Sequence, residues 1–103
     1  DFRPLLSQLA DSPVAVQGAA LFHATLAAGL ADWVSAASAR QNIDQLACGG
    51  GCFLNKLLLR QLMERLRDRD IEVLTAHRLS PGDSGLSLGQ AWVARAELRR
   101  GLL

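Results

Sequence analysis

The chain has 103 residues, half of them hydrophobic, two cysteines and a formal net charge of +1. That length allows one domain or a piece of one, burying about two thirds of the surface its unfolded form exposes. An apolar composition dominated by Ala and Leu excludes disorder and favours helix, while the near-neutral charge gives no electrostatic footprint for nucleic acid.

Phe2 to Leu9 is apolar-periodic over one or two helical turns. Ser12-Pro13 then reads as an N-cap followed by proline at the first helical position. Val14 to about Ala39 reads as one long helix, with Val16, Ala19, Ala20, His23, Leu26, Ala27 and Leu30 at i, i+3, i+4, i+7 spacing. Gln17, His23 and Asp32 interrupt its apolar run, so it suits a buried or half-buried helix rather than a membrane span. No signal peptide is visible, and cytoplasm is the default compartment. The chain opens on Asp1, with Met63 as its one methionine, and so reads as processed or as an excised fragment.

Ile43 to Cys48 reads as a short strand running into a glycine turn, Cys48-Gly49-Gly50-Gly51-Cys52-Phe53-Leu54-Asn55. Leu54 to Arg69 follows as a strongly amphipathic helix, with Leu57, Leu58, Leu62 and Leu66 on one side, and Asp70 closes it. Ile71 to Ala76 alternates as a second strand and leads into a second glycine turn, from Ser80-Pro81-Gly82-Asp83-Ser84-Gly85 to Gly89-Gln90. A last helix starts between Ser84 and Ser87 and runs to about Arg100, with Leu88, Trp92, Val93 and Ala96 as its core face. The order is α-β-α-β-α. Two strands joined through a helix pair in parallel with a right-handed crossover, so both glycine turns fall at the carboxyl edge where open α/β sheets bind ligands. Two parallel strands are too few for a stable sheet. Neighbouring strands are therefore expected from an upstream segment or from another chain.

Consecutive glycines after a strand can lay N–H groups along phosphate or carbamoyl oxygens, although neither a dinucleotide fingerprint nor a P-loop is present. Asn55 suits either hydrogen bonding to a nucleoside or capping of the following helix. Asp83 suits either an N-cap or a ligand to a metal or metal-bound phosphate. His23 reads as a satisfied boundary histidine and His77 as a surface loop residue. Trp33 and Trp92 read as core anchors. The C-x3-C pair, Cys48 and Cys52, lacks enough partners for zinc and reads as two small buried residues, with a disulfide as the alternative. The arginine clusters, at Arg60, Arg65, Arg67 and Arg69 and at Arg95, Arg99 and Arg100, read as solvated helix faces and C-termini. No nucleophile with a His–Asp partner set and no placed acid pair is visible.

Leu46-Ala47-Cys48-Gly49-Gly50-Gly51-Cys52-Phe53-Leu54-Asn55-Lys56-Leu57-Leu58 resembles the stretch LSGGVFQN-R-LL of the hydrogenase maturation carbamoyltransferases, the HypF family. Arg78 to Ala91 resembles that family's P-N-D-G-G-I-A-L-G-Q-A, and Leu21-Phe22-His23-Ala24-Thr25-Leu26 its FH-x-T-L helix. The three matches cover nearly the whole chain in the right order and spacing. Departures are Gly49 for a usual Ser, Leu54 for a polar residue, Gly82 and Ser84 for Asn and Gly beside Asp83, and Cys48 and Cys52 for apolar residues.

The resemblance implies the C-terminal subdomain of a carbamoyltransferase domain related to the universal tRNA threonylcarbamoyltransferases, with the actin/Hsp70/sugar-kinase type of α/β fold. It implies that the full protein activates carbamoyl phosphate with ATP. The carbamoyl group then passes to the C-terminal cysteine of a partner maturation protein, for the cyanide ligands of [NiFe]-hydrogenase. Carried over, Gly50 and Gly51 approach the phosphates or carbamoyl group, Asn55 the nucleoside and Asp83 a divalent metal ion. The family's paired metal-binding histidines have no counterpart here, so the chain is expected to be an inactive half-site that holds no cofactor firmly. The alternative expectation is a non-catalytic module that self-associates through an exposed strand edge or docks on a partner, with neither nucleic acid nor membrane as a target.

Overall fold

The computed structural model describes residues 1–12 and 14–102. Helix α1 (Arg3–Ala10) is followed by the long α2 (Ala15–Gln41), strand β1 (Gln45–Cys48), a 3₁₀ turn (Gly51–Leu54), α3 (Lys56–Arg67), β2 (Glu72–Thr75), a second 3₁₀ turn (Asp83–Gly85) and α4 (Leu86–Arg100). The expected α-β-α-β-α order is present, preceded by α1. The proline of the expected cap, Pro13, lies outside the described residues. Ser12 does not cap α2: Val14 is the N-cap, in extended backbone and without a capping side chain, and the Ser12 hydroxyl donates to the Val14 carbonyl instead.

The strands pair in parallel, Gln45 opposite Glu72, Leu46 opposite Val73, Ala47 opposite Leu74 and Cys48 opposite Thr75. Side chains alternate across a pleated sheet. Leu46, Cys48, Val73 and Thr75 accordingly turn to the more buried side, and Ala47 and Leu74 to the exposed side. The core is Ala31 and Val34 of α2, Cys48, Leu62 and Leu66 of α3, and Ile71, with Leu30, Leu46, Phe53, Leu59 and Val73 around it. Leu58, Leu62 and Leu66 form the buried stripe of α3, one helical turn apart, as its periodicity predicts. Leu57 of the same expected face is exposed, and Leu54 belongs to the 3₁₀ turn.

Asn42, the C-cap of α2, has φ 52°, and Asp70, three residues past the end of α3, has φ 58°, a left-handed conformation that short polar side chains tolerate. After α3 the Ile71 amide turns back to the Leu66 carbonyl, which reverses the chain into β2. Arg69 ties this corner to α2, donating to Asp32 (2.6 Å) and Ser35 (2.8 Å).

Two expectations about burial are corrected. In α2 the buried residues are Gly18, Ala27, Ala31 and Val34, whereas Val16 is 78% exposed and Ala19 and Ala20 are exposed. The start of α2 meets α1, whose Leu9 lies against Gly18, His23 further along it reaches the head of α3, and the second half covers the core. In α4 the expected core face is in solvent: Leu88, Trp92 and Val93 are all more than half exposed, and α4 has no buried residue. Trp33 is likewise exposed, so neither tryptophan is a core anchor. Trp92 carries the Arg95 guanidinium over its ring. Nothing among the described residues covers this helix. The radius of gyration, 17.4 Å, exceeds the roughly 13 Å of a compact domain of this length. Among the described residues no helix is long and apolar enough to cross a membrane.

Candidate functional site between the two glycine turns

The parallel pairing brings both strand exits to one edge. After β1, Gly50 adopts φ 102° and ψ 160°, a region open in practice only to glycine. Its carbonyl accepts from Phe53, which starts the 3₁₀ turn. After β2 the chain folds back on itself, with the Gly82 amide donating to the Ser80 hydroxyl. A Cβ at Gly85 would stand 2.7 Å from the Ser80 carbonyl oxygen, so this tight return requires glycine. The turns are joined directly: the Gly50 N–H donates to the Pro81 carbonyl, and Gly82 packs on the backbone of Gly51.

Between them lies a cleft of about 470 Å³, lined among others by Gly49, Gly50, Ser80, Gly82, Asp83 and Gly89. The first turn of α4 opens onto it, and no side chain caps that helix. The first amides of a helix have no intrahelical acceptor and carry the positive end of its dipole. The cleft is thus a concavity of glycine backbone with one helix N-terminus and one carboxylate.

The sequence-predicted residues divide. Gly50 and Asp83 line the cleft together. Gly50 is held there by its backbone, and its own amide is spent on Pro81. Gly51 backs onto Gly82 and heads the 3₁₀ turn, where its N–H has no acceptor within that turn. Asp83 does not act as an N-cap: it is the first residue of the second 3₁₀ turn, and its carboxylate caps neither that turn nor α4. Asn55 is the cap of α3, its Oδ1 accepting from the Leu57 and Leu58 amides at 3.1 Å each. Its Nδ2 is bonded to His23 Nε2 at 2.9 Å. The pairing of His23 with Asn55 was invisible in the sequence, since 32 positions separate them and neither residue type announces the other. His77 is exposed beyond β2, as expected.

Among the described residues no group of three metal-binding side chains comes together. A site built wholly from this part of the chain is therefore not formed, for zinc or any other ion. One carboxylate beside backbone amides does fit magnesium, which is held by one or two carboxylates together with substrate phosphates. Cys48 and Cys52 are both free thiols, so no disulfide is made. Cys48 is buried as expected and Cys52 is exposed. Burial pushes the Cys48 thiol up, which lowers its thiolate fraction at neutral pH. A maleimide is expected to label Cys52 quickly and Cys48 only after denaturation, and peptide mass mapping checks this; equal labelling of both in the native chain would contradict the packing.

Residues 1–90 match the family model of the second subdomain of the Kae1-like domain of carbamoyltransferases. The chain is 48% identical over 94 residues to the carbamoyltransferase HypF2 of Cupriavidus necator, a match covering 91% of this chain and 12% of that protein. It is 44% identical over 98 residues to the carbamoyltransferase HypF of Rhizobium leguminosarum bv. viciae, covering 92% and 13%. With a carbamoyltransferase HypF homolog of Cupriavidus necator the identity is 41% over 100 residues, covering 91% and 25%. The chain thus spans 12–13% of the length of the first two relatives. No solved structure matches it with significance.

Proposed function

The chain belongs to the HypF carbamoyltransferase family, in its Kae1-like domain, and from that premise we propose that it supplies one half of the nucleotide site of such an enzyme. In this reading the domain has the actin/Hsp70/sugar-kinase type of fold. The complete protein activates carbamoyl phosphate with ATP in the cytoplasm, and it carbamoylates the C-terminal cysteine of a hydrogenase maturation partner.

The observation that carries the reading is the cleft itself. Two glycine turns are bonded to each other at one sheet edge, the uncapped start of α4 opens beside them, and Asp83 lies at the same place. Glycine backbone lets polyphosphate approach closely, and helix amides favour its charge. A carboxylate in that position repels phosphate unless a divalent cation stands between them, so Asp83 is assigned as a ligand to magnesium bound with ATP. Gly50 and Gly51 are assigned to the phosphate side, and Asn55, at the head of α3, to the nucleoside side. With one metal ligand the half-site binds but does not turn over.

Calorimetric titration with ATP is expected to show weak binding that strengthens with Mg²⁺, and no carbamoyl-phosphate-dependent ATP consumption by this chain alone. The absence of any magnesium-dependent binding would overturn the assignment, and turnover by the chain alone would overturn the half-site.

A second reading rests on a different observation, the uncovered apolar face of α4 with Leu86, Trp92 and Val93. Exposed apolar surface of this kind marks an interface. The reading is self-association with a second copy of the chain, through α4 or through the exposed edge of the two-stranded sheet. Sedimentation is expected to show a dimer at micromolar concentration; a monomer across that range would exclude it.

A further inference from the structure

We propose that His23 is the positioning residue of Asn55, fixing which way its amide points at the head of α3; any effect on ATP rests on the nucleotide reading above. The geometry permits one assignment of every atom. A carbonyl only accepts, so His23 Nδ1, 2.8 Å from the Ala19 carbonyl, carries the proton. In the neutral ring Nε2 is then the acceptor, and it faces Asn55 Nδ2 at 2.9 Å. Asn55 must donate there, because its Oδ1 is already the acceptor for the Leu57 and Leu58 amides. The relay runs from α2 into the first turn of α3, directly behind the glycine turn that ends at Leu54.

Without His23 the cap alone would leave Nδ2 free to solvent. The histidine therefore adds direction, where a capping residue needs none. Serine or aspartate would also serve as a cap, but neither presents an N–H to His23. The pair thus explains a feature that capping leaves unexplained: a polar half-buried histidine within an otherwise apolar stretch of α2, bonded at both nitrogens.

The chain holds two asparagines, Asn42 and Asn55, so selective ¹⁵N-asparagine labelling gives two side-chain amide signals, with Asn42 as the internal reference. His23→Ala is expected to move the Asn55 signal to that of a solvated amide and to weaken ATP about fivefold, the measure of one hydrogen bond. His23→Gln places an acceptor oxygen where Nε2 stood and is expected to restore both. An Asn55 signal unmoved by His23→Ala overturns the proposal. If that variant does not fold, Asn55→Asp keeps the helix cap while setting an oxygen opposite Nε2. The His23 ring nitrogens are then expected to change from the Nδ1–H tautomer to the doubly protonated form, and an unchanged ring spectrum overturns the proposal. If wild-type chain binds no ATP while the Asn55 signal still responds, the nucleotide reading falls and the positioning of Asn55 stands.

Discussion

Replacing Leu66 by alanine is expected to abolish or nearly abolish cooperative folding of this chain. Leu66 is fully buried and Leu62 is 2% exposed, and these two are the largest fully buried side chains. They lie where α3, α2 and both strand regions meet, against Ala31, Val34, Cys48 and Ile71. Truncating a buried leucine costs about 2–5 kcal/mol, by lost transfer energy and by the cavity left behind. A small domain has only about 5–15 kcal/mol in total, and here several of the core residues are alanine or cysteine, which bury little surface. Thermal unfolding followed by circular dichroism is the measurement. A loss of about 3 kcal/mol corresponds to a fall of more than roughly 10 °C in the midpoint for a chain of this size. Trp92→Ala is the contrast. It removes a larger side chain, but one that is 69% exposed, and it should leave the midpoint nearly in place. Equal effects of the two substitutions would mean that α4 carries as much of the stability as the cluster around Leu66.

That contrast also separates what periodicity could reveal from what it could not. The spacing of Leu58, Leu62 and Leu66 identified the buried face of α3 because charged residues occupy the other side and leave one stripe. The alternation in β2 and the glycines at both strand exits were equally legible, since each reflects a local rule of backbone or pleat. Helix α2 was not, because alanine occurs all around it and fixes no direction; packing against α1 near its start and against α3 beyond decided its buried residues. Helix α4 shows the deeper limit. Leu88, Trp92 and Val93 are apolar yet exposed, for apolar residues on a helix say nothing of whether the rest of the chain supplies a cover. In the site, Gly50 and Asp83 were legible as motif residues. The Pro81 carbonyl that takes the Gly50 amide and the histidine bonded to Asn55 were not, for each is a contact made by folding between residues far apart in sequence.

Asp83→Asn is expected to invert the effect of magnesium on ATP binding, leaving the fold untouched. The substitution keeps the shape of the side chain and removes its charge, and the carboxylate makes no capping bond whose loss could loosen the turn or α4. With Mg²⁺ present the variant should bind ATP about tenfold or more weakly, the scale of one lost charge-assisted interaction. Without Mg²⁺ it should bind as well as the wild-type chain or better, since a negative charge has been taken away from the phosphate cleft at short range. The two halves of this result have opposite signs, and a merely structural role cannot produce both. If Asp83 only shaped the second turn, Asp83→Asn would weaken ATP equally with and without the ion, and circular dichroism would show the change. Gly85→Ala supplies that comparison: its Cβ would meet the Ser80 carbonyl at 2.7 Å, so it should disrupt the turn and reduce binding under both conditions. Titration of the three chains with ATP, at zero and at saturating Mg²⁺, therefore distinguishes a carboxylate that works through a cation from a turn that works through its shape.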